Sequence, residues 1–332
     1  MPRALRIWSV LAACACLALL IAMWAGSSRI PAAEVVRLLF HADDSSASVV
    51  VHRLRLPRAM AAFATGGLLA LAGALMQVLL RNPLADPYVL GLSGGAAVGA
   101  LAAMMLGLGS AMIDAGAFGG ALVSMLIVFA FANRDLTWPH AAGEADTSSR
   151  LLLTGVVLAA GWSAIVTLFL TIAPEAQLRG ILFWLMGDLG GADAFGGALI
   201  ALAFALVILY PFARELNVML RGPMLAHSLG VPVARVRRIV YLIASLATAL
   251  AVTTAGTVGF VGLIVPHALR LVIGNDQRVL LPACALAGGA LLVLADTLAR
   301  SVIAPQQLPV GAVTAVLGVP TFMFLLLRGG RR

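Results

Sequence analysis

Stretches of about twenty apolar residues recur along this chain with almost no charge inside them, and that pattern dictates a helical membrane protein. A backbone in lipid must satisfy its own hydrogen bonds, and a helix of about 20 residues does so across the hydrocarbon layer. Eight segments qualify: residues 7–25, 59–80, 115–132, 151–172, 192–212, 239–255, 279–299 and 310–327. Two shorter, glycine-rich segments, 93–108 and 258–272, bring the set to ten. Short segments of that kind are tolerated at membrane depth where they pack against protein or line a cavity. Composition agrees, because 11% of the residues are charged where a soluble domain carries about 25%. The reading is an all-α membrane protein, one domain over residues 1–332, with about ten transmembrane helices.

All 22 basic residues are arginine, and the net charge is +8. They sit in the short segments between spans, which is how membrane topology uses positive charge, so no nucleic-acid partner is inferred. With the N-terminus inside, 15 arginines fall on the inner side and 7 on the outer side. The positive-inside rule then puts both termini in the cytoplasm. It makes 27–57 a periplasmic loop and 133–149 and 214–238 cytoplasmic loops. Five of the seven outer arginines cluster between Arg29 and Arg58, and positive charge on the wrong side asks for a partner. Within the first loop, the pattern from Pro31 to Phe40 predicts a short amphipathic helix. Within the third, Pro223, Gly230 and Pro232 predict two short helices separated by a turn. Leu11-Ala-Ala-Cys14 looks like a lipoprotein cleavage box. Only about six apolar residues precede it after Arg6, short of a signal-peptide core, so residues 7–25 read as an uncleaved first span.

The chain contains no lysine. A phosphate-binding P-loop needs one, so any ATPase that drives this protein is another polypeptide. Coupling to an ion gradient is the alternative, and such carriers keep ionisable groups within the membrane. Only Asp296 lies well inside an expected span, and Arg300 one helical turn on makes a local ion pair the simpler account. A non-transporting membrane scaffold is the third reading. The three cysteines show no metal or disulfide spacing, and His227 and His267 read as structural residues near membrane boundaries.

Several motifs, in order, carry a resemblance. Arg55-Leu-Pro-Arg58 opens a span ending in Gly73-Ala-Leu-Met-Gln77, and Arg81-Asn-Pro-Leu-Ala-Asp-Pro-Tyr88 follows. Later come Phe183-Trp-Leu-Met-Gly187, His227-Ser-Leu-Gly230, Gly259-Phe-Val-Gly-Leu-Ile-Val-Pro-His267, Leu294-Ala-Asp296-Thr-Leu-Ala-Arg300 and Leu308-Pro-Val-Gly311. Together they resemble the permease subunits of type II ABC importers for iron-siderophores, haem and cobalamin, from about Arg53 to Arg328.

That resemblance implies a bacterial inner-membrane homodimer working with two ATPase subunits and a periplasmic solute-binding protein. It implies no cofactor in this chain, with ATP and magnesium held by the ATPase. Arg55, Arg58 and Arg300 would dock the binding protein. Asn82 and Leu84, with Ser148 and Ser149, would form the cytoplasmic gate. Thr154, Gly155, Ser163, Thr167 and Leu170 on the fifth span would line the pathway. Arg221, Met224, Leu225, His227, Ser228, Leu229 and Gly230 would couple to the ATPase. In that last stretch Arg221-Gly222-Pro223-Met224 departs from the family's usual Leu-Gly with acidic residues.

Overall fold

A computed structural model describes residues 2–26, 30–41, 43–137, 145–191 and 195–329, without the side chains at 2, 132–137, 145–149, 326, 328 and 329. Every regular element among these residues is helical. The α-helices are α1 Pro2–Trp24, α2 Ala32–Phe40, α3 Ser46–Val49, α4 Leu56–Leu79, α5 Leu92–Met105 and α6 Ser110–Thr137. They continue with α7 Ala145–Ile172, α8 Glu175–Leu185, α9 Phe195–Leu209, α10 Ala213–Met219 and α11 Pro223–Ser228. The last four are α12 Val233–Ala255, α13 Val261–Ile273, α14 Gln277–Ala299 and α15 Val310–Gly329. Seven apolar helical stretches among the described residues are long enough to cross a membrane. Three shorter apolar helices, in α5, α13 and α15, occupy the remaining expected positions.

One boundary differs from the sequence expectation. α3, a π-helical turn Val50–Arg55 and α4 run together over Ser46–Leu79, so the second half of 27–57 is helix rather than loop. His52, Arg53 and Arg55 lower the local hydropathy and hide the continuation. The helix tolerates them because Arg55 is buried with its guanidinium on main-chain carbonyls, which satisfies a charge that burial would otherwise make costly. The amphipathic α2 forms as expected, burying Val35 and Leu38.

α4 is the core of the bundle. Its span is 89% buried, against 11% for the span in α7. It packs on α14, α12, α13, α9 and α1. Small residues make the closest approaches possible, since lipid offers no hydrophobic drive and helices associate by close packing. Gly73 lies so near Gly262 that an added Cβ would sit 1.8 Å from the Gly262 carbonyl oxygen. Gly95 and Gly99 on α5 meet Gly120 and Gly116 on α6 in the same way, each pair four residues apart and therefore on one helix face. The glycine-rich character of that span is thus a packing requirement.

The helices α5 and α13 are short because both start within the bundle. The 3₁₀ turn Pro87–Leu90 before α5 meets the chain that enters α13. The Val258 N–H donates to the Tyr88 hydroxyl at 3.1 Å, and Pro87 packs on Gly262. Gly91 and Phe260 at these junctions have φ of 72° and 70°; for phenylalanine that left-handed backbone costs energy, offset here by its ring packing on Gly318.

Hydrogen bonds identify the two ends. At one, Trp8 Nε1 donates to the Val279 carbonyl at 3.2 Å. There Asn217 of α10 bonds Asp276 and the Gln277 N–H, both at 2.8 Å. At the other, Arg55 bonds the end of α1, and Leu308 N–H bonds Ala299 O before α15 sets out. The start of α1 therefore shares an end with the α10–α11 segment, opposite the arginines.

Candidate functional site

At the arginine end, residues from opposite ends of the sequence converge. Arg55 and Arg58 stand about one turn apart where the π-helical turn passes into α4, with Pro57 between them. Arg300 caps the C-terminus of α14. Arg58 grips Asp296 through Nε at 3.0 Å to both carboxylate oxygens and Nη2 at 2.8 Å to Oδ1. Arg300 Nε lies 3.7 Å from Asp296 Oδ2, and Arg300 also donates to the Ala22 carbonyl. Arg58 Nη1 donates to Gln307 Oε1 at 2.7 Å. Arg55 Nη1 donates to the Met23 and Trp24 carbonyls at 2.5 and 3.1 Å. Burial pulls Arg300 down to about 10; Asp296 opposes this and the positive Arg58 and Arg55 add to it. It stays cationic at neutral pH. A cavity of about 310 Å³ opens on this cluster, lined by Arg55, Arg58, Arg300, Gln307 and neighbours.

The Asp296–Arg300 pair expected from sequence is present. The stronger partner, Arg58, was not legible, because nothing in one sequence says that the start of α4 abuts the end of α14. Asp296→Asn would therefore break the arginine cluster.

The turn between α4 and α5 carries Asn82 and Leu84, both exposed. The Leu84 N–H donates to Asn82 Oδ1 at 2.9 Å, an Asx turn that makes this tip rigid. Ser148 and Ser149 lie in the backbone of α7's first turns, and their side chains fall outside the described residues. Of the expected lining, Ser163 and Thr167 are exposed, while Thr154 and Leu170 are partly covered. Gly155 is buried where α7 crosses the Pro87–Leu90 turn, and a Cβ there would lie 2.2 Å from Val89 O. Trp162 Nε1 and the Gly91 carbonyl both bond Ser124 Oγ, at 3.1 and 2.9 Å, which fixes α7 and α6 on the start of α5.

Asp86 in the same turn was not singled out by sequence. Its carboxylate accepts from the Tyr88 N–H at 2.8 Å. Burial raises it to about 6, with that hydrogen bond opposing. The folded state then holds this proton more tightly than the unfolded chain, whose carboxyl titrates near 4. Stability from this group grows as pH falls through about 6 and is absent above it. The melting temperature in detergent should rise between about pH 7.5 and 5 more for the native chain than for Asp86→Asn. Equal pH profiles for the two proteins would contradict this.

At the opposite end, α10 and α11 are the two expected short helices. α11 is pinned by buried Ala226 and Val231, and Gly222 and Gly230 turn the chain at φ of 115° and 79°. Arg221, Met224, Leu225, His227, Ser228, Leu229 and Gly230 are all exposed. Met224 on α11 and Leu229 at its C-cap are each 63% exposed, which is much apolar surface for so short a polar segment.

The comparisons with known proteins bear on this architecture. The model of the FecCD transport family matches residues 14–328. A cobalamin import system permease protein, BtuC, of Halobacterium salinarum is 44% identical over 85% of this chain and 74% of its own length. The vitamin B12 import system permease protein BtuC of Escherichia coli is 41% identical over 85% of this chain and 84% of its own. Among solved structures, a transporter described as metal-chelate type ABC, in an inward-facing conformation, superposes with a TM-score of 0.82 at 26% identity, covering 98% of this chain and 99% of that one. PsaBC from Streptococcus pneumoniae, at 16% identity and a TM-score of 0.58, shares the fold. An ion-coupled carrier is set aside by this match, and the chain belongs to the FecCD transport family, as a multi-pass inner-membrane permease subunit of an ABC importer.

Proposed function

We propose that this permease imports cobalamin or a closely related corrinoid, as a homodimer powered by two separate ATPase subunits and fed by a solute-binding protein. The observation that carries the cargo is the 41–44% identity over 85% of the chain to permeases named for cobalamin and vitamin B12 import. Ten spans with both termini cytoplasmic fit the ten apolar helices and the arginine count. The buried α4 face and the exposed α7 face suit a protomer whose α7 meets the pathway and the second copy. The exposed Thr167 and Thr171 hydroxyls donate to carbonyls of their own helix, at 2.9 Å each. Few hydrogen-bond donors are left to hold a passing solute, which suits a conduit. Arg55, Arg58 and Arg300 would receive the binding protein, Asn82, Leu84, Ser148 and Ser149 would close the inner gate, and α11 would seat on the ATPase. ATP and magnesium would be bound by that ATPase alone.

The metal-chelate type of the solved relative supports a second reading, in which the cargo is an iron complex such as haem or a ferric siderophore. One experiment separates them. Proteoliposomes holding permease and ATPase, with the binding protein inside the assay, are offered radiolabelled cyanocobalamin, haem or a ferric hydroxamate. ATP-dependent accumulation of cyanocobalamin alone is expected. Uptake of an iron complex with no corrinoid uptake would replace the first cargo with the second.

A further inference from the structure

The cluster at the top of α4 contains two residues that the docking role of the arginines does not account for. Asp296 is buried, at 3% side-chain exposure, and it takes Nε and Nη2 of Arg58 together. A guanidinium held by two of its nitrogens cannot swing or tilt. Its remaining nitrogen, Nη1, is left to bond within the lining of the cavity. What stands there is Gln307, an exposed residue on the loop after α14, whose amide oxygen lies 2.7 Å from Arg58 Nη1. A neutral amide oxygen is a weaker acceptor for a guanidinium than a carboxylate is. A carboxylate approaching through the cavity could therefore replace it without breaking the Asp296 grip.

We propose that Asp296 is the positioning residue of this site and Gln307 its resting cap: Asp296 fixes Arg58 with Nη1 left over, and Gln307 occupies that nitrogen until a carboxylate of the binding protein displaces it. The inference rests on the docking role given to Arg55, Arg58 and Arg300 above. It assigns to this chain the occupancy of the site before the partner arrives. A neutral cap keeps the arginine satisfied yet is easily exchanged. A charged cap would compete with the partner.

The test uses the full permease–ATPase complex in nanodiscs and the cyanocobalamin-loaded binding protein of the same organism, with affinity measured across a salt series. Gln307→Glu should weaken docking about tenfold and flatten its salt dependence, because salt then loosens the internal pair as well as the docking pair. Gln307→Ala should change affinity less than about threefold. Asp296→Asn should weaken docking about tenfold or more by loosening Arg58, and Asp296→Glu should recover part of it. The Arg55→Ala, Arg58→Ala, Arg300→Ala triple variant tests the underlying reading. If that variant docks like the native complex, the docking role itself is wrong. If it loses docking while Gln307→Glu binds with native affinity and native salt slope, the cap is wrong and the docking role stands. Gln307 is exposed, so this decision holds even should Asp296→Asn fail to fold.

Discussion

Replacing Gly73 by valine should abolish the folded permease. The Cβ that valine brings would lie 1.8 Å from the carbonyl oxygen of Gly262, 2.5 Å from its carbon and 2.7 Å from its Cα. All three atoms are backbone, at the first turn of α13, so no rotamer change makes room. α4 and α13 would have to separate, and α4 is packed on four other helices besides. Separation would also pull Gly262 from Pro87 and Val258 from Tyr88, undoing the junction where both short helices begin. A cost above about 4 kcal/mol is expected, at the far end of what single substitutions do. The measurement is the monodisperse fraction on size exclusion, with the melting temperature of whatever survives. Gly119→Ala is the control. Nothing lies within 4 Å of its added Cβ, and alanine favours a helix over glycine by up to about 1 kcal/mol. A valine at Gly73 that melts within a few degrees of native protein would show that this helix contact yields easily.

The contrast between these two glycines marks the boundary of what the sequence discloses. Apolar length placed the seven long spans seen among the described residues, because a lipid environment leaves so few other solutions. The broken segment with α10 and α11 was equally legible, since proline and glycine punctuate the backbone locally. Which glycine touches backbone and which faces open space was not legible, because that depends on helix adjacency. The same limit hid Arg58–Asp296, two residues 238 apart in sequence. Asp296 drew notice as a lone acid within a span, and its near neighbour Arg300 was offered as partner; the better-placed arginine needed the fold. Gln307 gave no signal, and Asp86 stood out only as one letter of a longer motif. A glutamine in a loop and an aspartate before a proline are ordinary until the structure shows what they face. The burial of Gly155 was hidden for a related reason, since which side of α7 meets the Pro87–Leu90 turn depends on helix adjacency.

Changing Met224 and Leu229 together to aspartate should stop ATP-driven transport without harming the fold. Each side chain is 63% exposed, Met224 on α11 and Leu229 at its C-cap, so neither contributes much to packing within the chain. The helix itself is held by Ala226 and Val231, which stay in place. If the ATPase seats here, two apolar anchors become two charges that must be stripped of water at the contact. Losing the burial of one such side chain costs about 1.5–3 kcal/mol, so the pair should weaken ATPase association by about a hundredfold or more. Co-purification of the ATPase and cyanocobalamin uptake should both fall, while the melting temperature of the isolated permease stays within a few degrees. Arg221→Ala should behave differently, because a rim charge sets association rate and salt sensitivity more than affinity. A double aspartate variant that keeps its ATPase, paired with an arginine variant that loses it, would move the coupling surface from the apolar face of α11 to the charged segment before it. The opposite order would mean that force from ATP hydrolysis enters through an apolar contact on one short helix, six residues long and pinned at Ala226, rather than through the surrounding charge.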